Sequence, residues 1–206
     1  MAPPITLRSP SSLPSTATTS HPSSTVVPPQ LSWLEGSWNV THSTLPMWRK
    51  SRNVVITYKA ISNTHPTQLN DTVTHQPLNS STIKTISGVD KPFDPSNTSS
   101  EKLNDQASLG YTWRGKGWLM IATSKWEILG FGEEDGGNKW AVTYFAKTLF
   151  TPAGVDFYSG VGRLREETVE GIKDALRKMG GEVEELVGQV FEVRMSGNKK
   201  DAGAEE

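Results

Sequence analysis

The sequence predicts an all-β protein, an eight-stranded antiparallel up-and-down barrel with one C-terminal helix packed outside it. Three observations carry that expectation. Runs of alternating apolar and polar residues recur between Gly36 and Gly162, the period of a strand with one face buried. From Leu109 onward they are separated by short turns at regular spacing, such as Gly115-Lys116-Gly117 and Thr151-Pro152-Ala153-Gly154, as in a meander. One stretch, Glu166 to Met179, changes to a helical period. Eight strands are enough to close a small barrel that can hold one ligand.

Taken in order, the chain begins with residues 1–30, which are mostly Ser, Thr and Pro, with Arg8 the only Lys or Arg. Such a segment buries too little apolar surface to offset its ordering entropy, so a disordered arm is expected. The folded domain is expected over residues 31–195. It opens with a short apolar turn, Leu31 to Leu34, and then Gly36-Ser37-Trp38, where glycine allows a sharp bend and Trp38 can plug a closed end. Alternation places Trp38, Val40 and His42 on one face and Asn39, Thr41 and Ser43 on the other. The cation-rich loop Leu45 to Arg52 centres on Trp48, which is placed to lie across a mouth. Asn53 to Ile61 is a strand with Val54, Ile56, Tyr58 and Ala60 facing in, and Leu69 to Gln76 a strand with Leu69, Asp71, Val73 and His75 on one face.

Thr82 to Asp90 reads as the next strand, ending at Gly88, and Lys91 to Gln106 as a long loop. Leu109 to Arg114 and Trp118 to Leu129 form a hairpin, and Lys139 to Lys147 and Val155 to Gly162 complete the ring. In the helical stretch Val169, Ile172, Leu176 and Met179 share one side, acids crowd the start, cations the end, and Gly180-Gly181 stops it. Gln189 to Met195 adds a short last strand, and residues 196–206 are expected to be a disordered tail.

Composition narrows the function. A chain of 206 residues with net charge -1 suits one domain with tails and argues against nucleic acid or a membrane as main partner. Absence of cysteine removes thiol nucleophiles, thiolate metal sites and disulfides. The N-terminus has no apolar signal core and no apolar run approaches a membrane span, so a soluble, cytoplasmic protein is expected. The scattered histidines lack the carboxylate spacing of a metal site, and no phosphate-binding loop or nucleophile elbow is present. Nothing in the sequence fixes the oligomeric state.

Seven tryptophans stand out. Parity puts Trp38, Trp113, Trp118, Trp126 and Trp140 on the inner face with Tyr58, Tyr111 and Tyr144, either as plain core or as the wall of a cavity gripping an apolar molecule. Asp71 and His75 form the best acid–base pair, and His42 can join them. Lys125 and Glu127 flank Trp126 on the opposite parity and are expected in water unless the strand is bulged.

Gly36-Ser37-Trp38, about eight antiparallel strands, an amphipathic helix and a last short strand together resemble the lipocalin (calycin) family over Leu31 to Met195. The resemblance implies a cavity for a hydrophobic small molecule and a cation, Arg163 or Arg165, stacked near the first-strand tryptophan. The lack of a signal peptide and of a disulfide pair is most similar to the small cysteine-free lipocalin-like proteins of fungal secondary-metabolite pathways, some of which are cofactor-free cyclases. It therefore implies a cofactor-independent cyclase or isomerase of the pericyclase or Diels-Alderase type. His75, Asp71, Tyr58, Tyr111 and Tyr144 are then the catalytic candidates. Trp38, His42, Trp48, Trp113, Trp118, Trp126, Trp140 and Phe157 are the ligand-contacting ones, with no cofactor and no metal. The alternatives are a non-catalytic carrier and a haem-binding barrel.

Overall fold

The computed structural model describes residues 4–13, 26–93 and 105–196. After the short helix α1 (Leu31–Leu34), eight strands follow: β1 (Gly36–Ser43), β2 (Ser51–Ala60), β3 (Leu69–Pro77), β4 (Lys84–Phe93), β5 (Gly110–Gly115), β6 (Thr123–Glu133), β7 (Lys139–Phe145) and β8 (Gly154–Ser159). Each pairs antiparallel with the next, and β1 pairs with both β2 and β8, so the ring closes. The expected barrel is present. A two-residue strand, β9 (Phe191–Glu192), lies outside the ring on β1. Helix α2 (Glu166–Met179) buries Val169, Ile172 and Leu176. A second short helix, α3 (Gly181–Val187), follows where a simple stop was expected, burying Val183, Leu186 and Val187.

Up-and-down connectivity gives the barrel two distinct ends. The closed end carries α1 and the β2–β3, β4–β5 and β6–β7 connections; the mouth carries the other four. Gly36 has φ +108, a conformation costly for any other residue, and turns α1 into β1. Trp38 then enters the closed end, 1% exposed, its indole N–H donating to the Leu34 carbonyl at 2.8 Å while Trp33 packs on it at 5.0 Å. At the mouth, Trp48 sits in a 3-10 turn, Pro46–Trp48, and is buried.

Two bulges reset which side chains face in. In β1 the register shifts between Val40 and His42, so Trp38, Val40 and Ser43 face the interior and His42 faces out, against the alternation that put it beside Trp38. In β6 the shift lies between Ile128 and Gly130, which turns Leu129 outward and Phe131 inward. Strand β4 runs on to Phe93 rather than ending at Gly88, and Trp118 belongs by backbone to a 3-10 turn, Gly117–Leu119, rather than to β6; its side chain lies outside the described residues.

There are two apolar cores rather than one. The inner one fills the ring with Trp38, Ile56, Tyr58, Leu69, Tyr111, Trp126, Ile128 and Tyr158. The outer one lies between the wall of β6 to β8 and the helices, where Trp140, Val142, Tyr144, Val155 and Phe157 meet Ile172, Leu176 and Leu186. The inward placement expected for Trp140, Tyr144 and Phe157 is therefore corrected. Strands β7 and β8 are buried on both faces, and alternation carries no sign of which apolar face is the inner one.

The N-terminal arm also departs from expectation. Residues 4–13 pack on the outer wall, with Leu7 buried and Ile5 and Leu13 against the same outer core. Arg8 donates to the Ile128 carbonyl at 2.9 Å and pairs with Glu127 at 2.5 Å; the Ser11 hydroxyl and amide complete the carboxylate. Glu127 is thus 3% exposed rather than solvated. The arm's Ser/Thr/Pro average conceals three apolar anchors and one guanidinium that meets a buried acid. Residues 14–25 and 197–206, on which disorder was expected, lie outside the described residues.

Removing one partner of a buried pair leaves the other charge stranded. Arg8→Ala is expected to destabilise the fold by about 3 kcal/mol, with Arg8→Ala/Glu127→Ala costing less than the sum of the single changes. Urea denaturation of the three variants measures this. Trp38→Ala is expected to cost about 3–5 kcal/mol through the lost plug, read in the same experiment.

A buried carboxylic acid pair as the candidate functional site

Asp71 on β3 and Asp90 on β4 both point into the ring. Asp71 stands opposite Gly88 and Leu69 opposite Asp90, so the two acids are diagonal neighbours on adjacent strands. Asp71 is 7% exposed and Asp90 0%. The Trp126 indole N–H donates to Asp90 Oδ1 at 2.8 Å. Asp90 Oδ2 and Asp71 Oδ1 are buried with no hydrogen-bond partner among the described residues, while the Tyr158 hydroxyl is set against Tyr58 and Thr143. Buried polar atoms are ordinarily partnered, and two unpartnered carboxyl oxygens in one interior make this pair the candidate site.

Aromatic rings surround the acids. Trp126 stacks on Tyr58 at 5.4 Å and on Tyr111 at 4.8 Å, both at 20° between planes. Tyr58 stands opposite Asp71 in the β2–β3 pairing, and Asp90 opposite Trp113 in β4–β5. Gly88 makes room for Trp113: a Cβ there would fall 2.1 Å from its indole nitrogen. Trp113 itself, with Val73, is half-buried on the mouth side.

Burial dominates the chemistry of this interior. It pushes the Asp71 carboxyl up to about 7 and the Asp90 carboxyl well above its ordinary value, the Asp71 charge adding to the rise and the Trp126 bond opposing it. At neutral pH the pair is therefore a proton donor rather than a dianion. Burial also raises Tyr58 and Tyr158, and Tyr111, keeping all three as phenols. A third inward acid, Asp156 on β8, takes the Ser43 hydroxyl at 2.5 Å and the Trp48 indole N–H at 3.4 Å, and burial lifts it to about 7.

The structure brings together some of the residues the sequence singled out and separates others. Asp71, Tyr58, Tyr111 and Trp126 converge, Trp113 and Trp38 lie above and below them, and Trp48 covers the mouth. The Tyr111 oxygen accepts the Ser108 amide N–H at 2.9 Å. His75 stands at the mouth rather than against Asp71, bonded to the Ser51 hydroxyl at 3.0 Å and edge-on to Trp48; burial lowers its pKa. His42, Tyr144, Trp140 and Phe157 are on the outer wall. There His42 packs on Phe157 and burial lowers it to about 4, while the Tyr144 hydroxyl donates to Glu182 at 3.3 Å and is pushed up to about 12 by burial first and then by that acid. Near the closed end Lys139 lies over the Trp33 ring at 5.5 Å, Arg163 pairs with Glu192 and Arg165 bonds the Asp135 carbonyl.

Sequence reasoning missed Asp90, Tyr158 and Asp156. For Asp90 the signal was available: Gly88 is two residues before it on a strand that continues, and equal parity makes both face in. The ring-lined hollow expected from parity is also filled, for Trp38, Tyr58, Tyr111, Trp126 and Tyr158 are each at most 3% exposed. Concavities of about 240 and 370 Å³ lie instead on the outside of the closed end, the first lined by Trp33, Glu35 and Lys139, the second by Glu134, Asn138 and Arg165. Among the described residues no group of three acids and histidines is placed to hold a metal ion.

This architecture is shared with solved structures. Lobster apocrustacyanin A1 superposes with a TM-score of 0.54 at 13% identity, covering 80% of this chain and 78% of that one. The siderocalin Ex-FABP does so at 0.51 and 12%, covering 81% and 96%. Insecticyanin from the tobacco hornworm Manduca sexta gives 0.50 and 13%, covering 84% and 89%. The fold is the lipocalin barrel. At these identities the likeness is one of architecture, and neither a protein-family model nor a curated protein sequence matches the chain. Within that lipocalin barrel this chain sets three inward acids, Asp71, Asp90 and Asp156.

These acids set a pH dependence. A carboxyl whose pKa is higher folded than unfolded stabilises the fold while protonated, fully below its unfolded value of 3.8, and loses that contribution as pH rises through about 7. His42 acts the other way, losing stability as pH falls from 6.5 toward about 4. The two oppose each other below pH 6.5, and above it the acids act alone. The melting temperature is expected to fall as pH rises from about 6.5 to about 8, and Asp71→Asn and Asp156→Asn are each expected to flatten that fall. Calorimetry across this range checks it.

Proposed function

We propose that the protein binds an apolar small molecule carrying a carbonyl or similar acceptor inside the barrel. We further propose that it acts on the molecule as a cofactor-independent cyclase or isomerase. The observation that supports this most directly is the Asp71–Asp90 pair, neutral enough to donate, with free oxygens among aromatic rings. Such chemistry asks little covalent work of a protein. Rings hold a flexible chain near its reactive shape, and a carboxylic acid or the Tyr58 phenol donates a hydrogen bond to the carbonyl as electron density builds there. Bonds rearrange within the substrate and the acid keeps its proton. A guest enters from the mouth beside half-buried Trp113 and displaces packed rings, so binding and ring movement are one event.

The second reading is a carrier that returns its ligand unchanged. The filled interior favours it, since rings that must move apart for a guest give a regulated hold without chemistry. Among proteins of this fold, the siderocalin Ex-FABP functions through dual ligand specificities. A haem reading has less support, with His42 on the outer wall and His75 engaged by Ser51.

The test uses a linear polyene ketone and the matching hydrocarbon as probes, followed by tryptophan emission and by chromatography with mass detection. Saturable quenching is expected with both. Asp90→Leu is expected to weaken the ketone on the order of tenfold while leaving the hydrocarbon unchanged, the loss of one buried charge-neutral donor. A product of unchanged mass and new retention, lost in Asp71→Leu and Tyr58→Phe, supports catalysis; quenching with the probe recovered intact supports the carrier, and no quenching overturns both.

A further inference from the structure

Every loop at the barrel mouth exposes a large apolar side chain beside a cation. In the β1–β2 loop Met47 is exposed next to Arg49 and Lys50. In β3–β4 it is Ile83, followed by Lys84. The β5–β6 loop presents Met120 and Ile121, the latter 92% exposed, with Lys116, and the β7–β8 loop presents Leu149 and Phe150, 89% and 86% exposed, with Lys147. Among the described residues only Val27 and Val161 are large apolar side chains so exposed elsewhere. None of the four loops contains an aspartate or glutamate. The opposite end carries Glu134 and Asp135 on its β6–β7 turn, with Arg165 against them, and Glu182 of α3 lies on the outer wall beside Tyr144. A net charge of -1 therefore conceals a barrel with a cationic, apolar mouth and an acidic turn at its base.

We propose that the mouth docks on the surface of an anionic lipid bilayer, the apolar loop tips entering the interface and the lysines and arginines meeting lipid headgroups. Exposed apolar side chains bordered by cations match the two layers of an anionic lipid interface, the acyl boundary and the charged headgroups. Cations standing just behind them are where headgroup charge lies. Among the described residues no helix is long and apolar enough to cross a membrane. An apolar guest would then pass between the bilayer and the mouth without crossing water, but the docking stands whatever the barrel holds.

Flotation of the full chain with vesicles tests it, comparing phosphatidylcholine alone with equal parts phosphatidylcholine and phosphatidylserine. Binding is expected to the anionic vesicles only and to weaken as salt rises. Lys84→Ala/Lys147→Ala is expected to lower partitioning about fivefold for each charge removed. Ile121→Ser/Phe150→Ser is expected to lower it on the order of a hundredfold. All four positions are exposed, and circular dichroism confirms that the variants keep the fold. No flotation with anionic vesicles at low salt overturns the proposal, as does binding that survives both double variants. So does a concentration-dependent dimer, abolished by Ile121→Ser/Phe150→Ser, in the absence of vesicle binding, because the mouth would then be a contact between copies of the chain.

Discussion

Closing a sheet on itself removes its edges and creates an inside that water does not reach. Each polar group turned inward must then find a partner or give up its charge. In this barrel the β1 pairings with β2 and β8 make the closure, and the three inward acids follow both courses. Asp156 is tied to Ser43 and Trp48, Asp71 and Asp90 are lifted toward neutrality, and the Asp71–Asp90 pair retains oxygens that nothing among the described residues satisfies. The same dryness that makes the acids costly makes them good donors.

The outside of the ring is divided in a comparable way. The wall of β6 to β8 is covered by α2, α3 and the N-terminal arm, so these strands are sandwiched while the other side of the barrel is not. The covering is polar where it meets Glu127 and apolar where it meets Phe157 and Trp140. Arg8 illustrates why composition misleads at short range: a segment poor in apolar residues is held by a few of them when a buried acid opposite needs a cation.

The exposed apolar and cationic side chains concentrate toward the mouth. Trp48 lies across it, His75 and Trp113 line its rim, and the loops around it share an apolar and cationic surface that overall charge conceals. The interior acids and the exposed ring of loops are thus stacked along one axis, with the Trp38 plug at the far end.

Alternation, turn spacing and the single helical segment were enough to determine the closed antiparallel ring, the Trp38 plug at Gly36-Ser37-Trp38 and the helix with Val169, Ile172 and Leu176 beneath it. They also placed Asp71 and Tyr58 inside, because the outer faces of β2 and β3 are polar enough for the period of two to have a sign. Tertiary structure alone decided the rest. Bulges at Thr41 and Leu129 reverse parity without a mark in the residues themselves, sending His42 outward and Phe131 inward. Where α2 covers β7 and β8 both faces are buried, so only the packed helix distinguishes Tyr144 and Phe157 from Asp156 and Tyr158. Whether the ring is hollow is a matter of how side chains of known size meet across it, and that sum is taken over eight strands at once.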